Sequence, residues 1–283
     1  MALPSYAGPV ETAWYYGFRL ICAFIFIFLI TPILVIIPLS FNVEPYFTFT
    51  QGMLSLDPEA YSLRWYDDFI SNTQWTHSVK NSFIIAIAAT ILATILGTLA
   101  ALGLSNANMP FRSLTMGLLI SPMIVPLIIS AAGMYFFYSN IGLDQTFLGI
   151  ILAHTALGTP FVVITVTATL VGFDHSLTRA SASLGANPTI TFFKIIMPLI
   201  LPGVISGALL SSITSSEEVV VGRGRAGCDQ RTIPRQMWSG IREQISPTIL
   251  AVATILVMIS LALLATLELL RRRSERLRGM TPG

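Results

Sequence analysis

Two adjacent carboxylates, Glu217 and Glu218, follow Ser211, Ser212, Ser215 and Ser216 near the end of a long apolar run. Carboxylates inside hydrocarbon are costly, so they are kept where they face a cavity, a partner or the membrane interface. Here they either attract a cation or reach the outer headgroup region and touch nothing, and the residues alone leave both readings open. The other chemistry-bearing side chains do not assemble. His77, His154 and His175 lack ligand spacing, so no metal site is expected. Cys22 lies in an apolar run and Cys228 in a polar stretch, which supports no disulfide framework. There is no G-x-x-x-x-G-K loop ending in Ser or Thr, no G-x-S-x-G elbow and no H-E-x-x-H helix. Catalysis and nucleotide binding by this chain are therefore not expected.

The elements that position these residues follow from composition. The chain is 54% hydrophobic and 11% charged, with a mean hydropathy of +0.75, whereas about a quarter of a soluble domain is charged. A net charge of +2, with no basic stripe outside the C-terminal tail, argues against nucleic acid as a partner. The fold class is an all-α membrane protein embedded in a lipid bilayer. A helix needs about 20 apolar residues to cross roughly 30 Å of hydrocarbon, and six runs qualify: Phe18 to Ser40, Val79 to Leu104, Leu114 to Tyr138, Phe147 to Val171, Ile195 to Val221 and Thr248 to Leu270. The first run carries Pro32 and Pro38 and lacks a small-x-small cleavage site, so it reads as a span and not as a signal peptide.

Cationic residues favour the cytoplasmic side. Arg271, Arg272, Arg273, Arg276 and Arg278 follow the sixth run, while Glu44, Asp57, Glu59, Asp67 and Asp68 follow the first. An even number of spans then puts both termini in the cytoplasm, and the segment with Arg223, Arg225, Arg231, Arg235 and Arg242 is the exception to the rule. Ala93, Gly97 and Ala101 recur every four residues, as do Gly203, Gly207 and Ser211, and such stripes let helix backbones approach closely. Pro122, Pro126 and Pro160 each remove a helical hydrogen bond, so kinks are expected there. Trp14, Trp65, Trp75 and Trp238 are read as interfacial anchors.

Between the fourth and fifth runs, residues 172–198 read as a helical hairpin. Asp174 can cap a first helix over His175 to Leu184, and Gly185 suits the left-handed residue that ends it. Asn187 and Pro188 form an N-cap and first-turn pair for a second helix, which presents Ile190, Phe193 and Ile196 on one face. Pro198 marks a bend into the fifth span.

The stretch RASASLGANPTITFFKIIMP, Arg179 to Pro198, resembles the coupling-loop signature of binding-protein-dependent ABC importer permeases: Glu-Ala-Ala-x-x-x-Gly, nine residues, then Ile-x-Leu-Pro. Ala180, Gly185, Ile195 and Pro198 match, while Arg179, Ser181 and Met197 stand where the family usually has Glu, Ala and Leu. The likeness runs from about residue 14 to 278. Through LGANP, LPGVISGALLSSITSSEEVVV and TIPRQMWSGIREQISPTI it is strongest toward spermidine/putrescine permeases. The resemblance implies a single permease domain over 1–283 with the MetI-like type I ABC bundle of six transmembrane helices, in a bacterial inner membrane. It also implies partners: a cytoplasmic ABC ATPase dimer that receives the hairpin, a second permease subunit, which the polyamine subgroup makes a heterodimer, and an extracytoplasmic solute-binding protein. No cofactor is implied on this chain, since ATP and Mg belong to the ATPase. Glu217 and Glu218 then sit where related permeases carry an acidic pair, which would attract a polycation, and Ser215 and Ser216 beside them join the possible substrate path. Access would alternate as ATP binding moves the hairpins.

Two rival readings make different demands. A stand-alone secondary transporter or channel would work without an ATPase and use more buried ionisable groups, and a membrane enzyme would cluster nucleophile, base or metal ligands. Within the importer reading, another small organic solute is the alternative substrate. The segment Gly222 to Cys228, with two Arg and three Gly, departs from the apolar continuation that the polyamine subgroup leads one to expect. Either the fifth helix ends by Val221 or this stretch is altered.

Overall fold

The computed structural model describes residues 8–106, 108–217, 231–243 and 246–277. They are almost wholly helical, with a lone antiparallel bridge between Asn42 and Tyr61. The chain divides into two compact units, Met1–Ser71 with Gln244–Val257 and Asn72–Glu243 with Met258–Gly283.

In the first unit, α1 (Pro9–Leu39) starts with Pro at its first position, and Glu11 Oε2 accepts from Gly8 N–H at 3.2 Å. Its apolar side chains, among them Phe24, Phe26 and Phe28, are exposed. A helix apolar all round needs lipid or protein around it. The connector that follows is folded, with α2 (Gln51–Leu54), a 3₁₀ turn (Pro58–Ala60) and α3 (Arg64–Ser71). Asn42 is its knot. Fully buried, it donates to the carbonyls of Tyr46 (3.2 Å) and Thr48 (3.1 Å) and accepts from Glu44 N–H (3.0 Å). Trp65 Nε1 donates to the Asn42 carbonyl at 2.6 Å, and Thr248 Oγ1 donates to Asp68 Oδ2 at 2.6 Å. Trp65 is thus an interior residue of this connector and not the interfacial anchor expected, because its N–H found a backbone acceptor.

The second unit is built on α4 (Thr73–Ser105), α7 (Phe147–Val171) and α10 (Met197–Glu217). Trp75, at the start of α4, is buried too. The core joins Ala101 of α4, Val162, Val166 and Leu170 of α7, and Ile200 and Val204 of α10. Both small-residue stripes face α7. A Cβ on Gly97 would come within 2.6 Å of Val162 Cβ, and one on Gly207 within 2.8 Å of Val162 Cα. Only hydrogen fits at either place, and the backbones approach accordingly. Also here are α11 (Ile233–Glu243) and the later part of the long α12 (Thr248–Leu277). Gln236 Nε2 of α11 donates to Gln74 Oε1 of α4 at 3.3 Å, and Ser82 Oγ accepts from Ile233 N–H at 2.8 Å.

Among the described residues, five helices are long and apolar enough to cross a membrane, and the number is six where a bent pair counts as one span. That pair corrects the third expected span. It is not one helix but α5 (Arg112–Ile124) and α6 (Leu127–Asn140), turned by 103°. Proline disfavours the helical region for the residue before it, and Val125, before Pro126, is extended at φ −68°, ψ 134°. Pro122 and Pro160, by contrast, lie within continuous helices.

Candidate functional site

The hairpin is closed by backbone and side-chain bonds that its own residues supply. Its first helix, α8 (Ser176–Ser183), begins where Asp174 accepts from Ser176 N–H (2.8 Å) and Ser176 Oγ (2.7 Å). These two bonds, the side-chain one first, hold the Asp174 carboxyl below the ordinary carboxylate value against an opposing effect of desolvation, and the nearby charges of Arg179 and His175 add lesser lowering effects. At the other end Gly185 is left-handed (φ 81°). Gly185 N–H donates to the Ala182 carbonyl (3.0 Å) and Ala186 N–H to that of Ser181 (3.1 Å), the paired bonds of a Schellman motif. A Cβ at Gly185 would meet open space, so the backbone angle alone requires glycine. Asn187 Oδ1 then caps α9 (Pro188–Thr191) by accepting from Ile190 N–H at 2.8 Å, with Pro188 at the first position.

The join to α10 corrects one expectation. The helix is not interrupted at Pro198. Instead Phe192–Ile196 form a π turn in which Met197 N–H bonds to the Phe192 carbonyl, and helix runs on through Pro198. A π turn shifts the bonding register, so the N–H that Pro198 lacks is absorbed without a break. The residues singled out in the sequence sit on this one motif. Arg179 and Ala180 are exposed on α8, with Ser181 buried beside them, and Gly185 forms the tip. Ile195 and Met197 are half-buried at the join, where Met197 packs on the core, and Pro198 is exposed. Leu184 and Phe193 project, 88% and 63% exposed, with Ile190 also exposed and Ile196 packed inward.

The far end of α10 carries the second candidate group. Ser215 is buried, and its Oγ lies 2.8 Å from His154 Nδ1 of α7. One turn back, Ser211 is buried against Gly158. Ser216 Oγ donates to the Ser212 carbonyl at 2.9 Å. Glu217 is the last described residue of α10 and its side chain is outside the description, as are Glu218 and the whole segment Gly222 to Cys228. The expected continuation of the helix from Glu218 to Val221 likewise lies outside the described residues. His154 is the functional candidate that sequence spacing missed. Its partner is 61 residues away, and the one available signal was an ionisable side chain in the middle of an apolar run. Among the described residues no group of His, Cys, Asp and Glu could hold a metal ion.

Comparison with known proteins places this architecture. Residues 93–276 match the family described as "Binding-protein-dependent transport system inner membrane component". The spermidine/putrescine transport system permease protein PotC of Haemophilus influenzae is 32% identical over 89% of this chain and 96% of its own length. The putrescine transport system permease protein PotI of Escherichia coli K12 is 30% identical over 82% of each. In fold, the chain is similar to a bacterial ABC transporter involved in import of the acidic polysaccharide alginate, with TM-score 0.67 and 14% identity over 93% of this chain and 97% of that one. It is also similar to the MetNI methionine ABC transporter, with TM-score 0.54 and 19% identity over 73% and 96%. This chain belongs to the binding-protein-dependent transport system inner membrane components, the multi-pass permease subunits of ABC importers, and is a translocation subunit and not an enzyme.

Proposed function

We propose that this chain is one half of the membrane path of a polyamine importer, paired with a second, different permease subunit and driven through the residue 172–198 hairpin by a cytoplasmic ABC ATPase dimer. The observation that carries the coupling role is the hairpin itself. The Gly185 and Ala186 bonds close the end of α8, Asn187 caps the start of α9, and Leu184, Ile190 and Phe193 face outward; a protruding apolar tip on such closures suits a groove in a partner protein. Arg179, where relatives usually carry Glu, changes the charge offered beside that tip. ATP and Mg are held by the ATPase and no cofactor by this chain. An extracytoplasmic binding protein delivers the solute, and both termini lie in the cytoplasm with the hairpin, consistent with the arginines after the sixth span.

Spermidine or putrescine is the substrate class favoured by the relatives named above. The electrostatics agree, since in the sequence Glu217 and Glu218 add negative charge that a polycation would sense directly after Ser215 and Ser216, whose bonds hold the last described turn of α10. Purification from native membranes tests the assembly: an ATPase and a second permease accompany the chain, and their reproducible absence refutes the reading. Uptake of labelled spermidine by that complex tests the substrate, with Glu217→Gln and Glu218→Gln expected to weaken it. Wild-type affinity and rate in both variants would remove the pair from the path. Gly185→Trp, which forces a bulky residue into a left-handed position, is expected to release the ATPase.

A further inference from the structure

The hairpin has no apolar core. Among the described residues, α8 buries one side chain, Ser181, and α9 buries one, Thr191. Both are more than nine-tenths buried, and their hydroxyl oxygens are 2.8 Å apart. Thr191 Oγ1 also donates to the Asn187 carbonyl at 3.1 Å. A hydroxyl has one proton, so the donor between the two helices is Ser181. The bonds run one way, from Ser181 to Thr191 to Asn187, and Asn187 in turn caps α9 through Ile190 N–H. The next residue after Thr191 opens the π turn that leads to Met197 and the core.

We propose that Ser181 and Thr191 are positioning residues for transport: their hydroxyl bridge locks α8 to α9, so that force on the hairpin tip passes through the π turn into α10 and does not splay the hairpin. This rests on the hairpin being the ATPase-docking element. Ser181 stands where the family usually has Ala, so the bridge is this chain's own device, and a hydrogen bond is lost within a few tenths of an ångström beyond its contact distance.

The test uses the complete complex in proteoliposomes, with its own ATPase, partner permease and binding protein. The readouts are the amount of ATPase retained and the stimulation of ATP hydrolysis by the binding protein. Ser181→Ala and Thr191→Val each cut the stimulation about tenfold, equivalent to about 1.4 kcal/mol, with ATPase retention within about twofold of wild type. Thr191→Ser keeps the bridge and wild-type stimulation. The double variant S181A/T191V removes both polar atoms together, which packing tolerates, so it assembles normally but its stimulation stays low. Unchanged stimulation in S181A, or its recovery in the double variant, overturns the proposal, because recovery is what a packing role alone gives. Should T191V fail to assemble, S181A decides, since Thr191 keeps its bond to Asn187 there. Normal retention and stimulation in Gly185→Trp would instead refute the docking reading itself.

Discussion

Gly97 and Gly103 lie on the same helix with opposite surroundings, and substituting each by alanine separates packing from propensity. A Cβ at Gly97 would meet Val162 Cβ at 2.6 Å, Val162 Cγ1 at 2.8 Å and the Thr159 carbonyl at 3.3 Å. Carbon atoms pack at about 3.5–4.0 Å, so α4 must withdraw from α7 by roughly 1 Å. Overpacking of that kind costs about 1–3 kcal/mol. A Cβ at Gly103 meets nothing within 4 Å, and alanine there gains up to about 1 kcal/mol of helix propensity. Gly97→Ala gains the same propensity, so the two variants should differ by the overpacking alone, about 1–3 kcal/mol or roughly 5- to 140-fold in the unfolding constant. Equilibrium unfolding in SDS–detergent mixtures, followed by tryptophan fluorescence, measures this. Adding Val162→Ala should return part of the loss in Gly97→Ala, because it removes Cγ1. It should return less in Gly207→Ala, whose nearest contacts are Thr165 Oγ1 and the Val162 Cα. If Gly97→Ala were as stable as Gly103→Ala, the close approach of α4 and α7 would be refuted.

Three further outcomes follow from single contacts. His154→Ala strands the buried Ser215 hydroxyl and should cost about 1–3 kcal/mol in the same assay, while adding Ser215→Ala should cost little more because the pair is already lost. Asp174 has its carboxyl held below the ordinary value of 3.8 in the folded chain, so its contribution is present above that value and lost as pH falls through the lower folded one. The protection of amides at the start of α8, measured as exchange relative to the intrinsic rate at each pH, should therefore be constant from pH 8 to about 5 and fall only in strong acid, whereas Asp174→Asn should show no such acid step. Pro126→Ala restores an N–H and frees Val125 to turn helical. With a rise of about 1.5 Å per residue, the distance between Leu118 and Phe136 should lengthen from about 17 Å in the bent pair to about 27 Å in a straight helix. Spin labels at these exposed positions report it, and an unchanged distance would mean that neighbours and not proline set the bend.

What could be read from the sequence was what its chemistry decides locally. Asp174, Gly185 and the Asn187-Pro188 pair act within five residues of their partners; Gly185 and Asn187-Pro188 take the predicted place, while Asp174 holds Ser176 from one residue before the N-cap, His175. The two stripes of small residues were legible because they repeat every helical turn, and the faces they define do meet α7. Contacts between distant residues left no such trace. His154 finds Ser215, Trp65 finds the carbonyl of Asn42, and Ser181 finds Thr191 across a turn. Pro126 signalled a kink but not its angle, which depends on how far Val125 leaves the helical region. The π turn has no residue signature, being a shift in bonding register that spares a break at Pro198.

These contacts also determine which parts of the second unit can move separately. Along α7 and α10, Gly203 fits under Thr169, Gly207 against Val162, Gly158 against Ser211, and His154 bonds Ser215, so the two helices touch over nearly their whole shared length. Gly97 fixes α4 to the same Val162. Close-packed interfaces of this kind shift as units and do not deform continuously. A displacement delivered to α10 is therefore carried by α4 and α7 as well. The joints left to absorb it are those where regular bonding is already interrupted, at the Val125-Pro126 break and the Phe192–Ile196 turn. Of the two, the turn adjoins the hairpin and leads directly into the three-helix core, so a displacement of the hairpin reaches α4 and α7 through it.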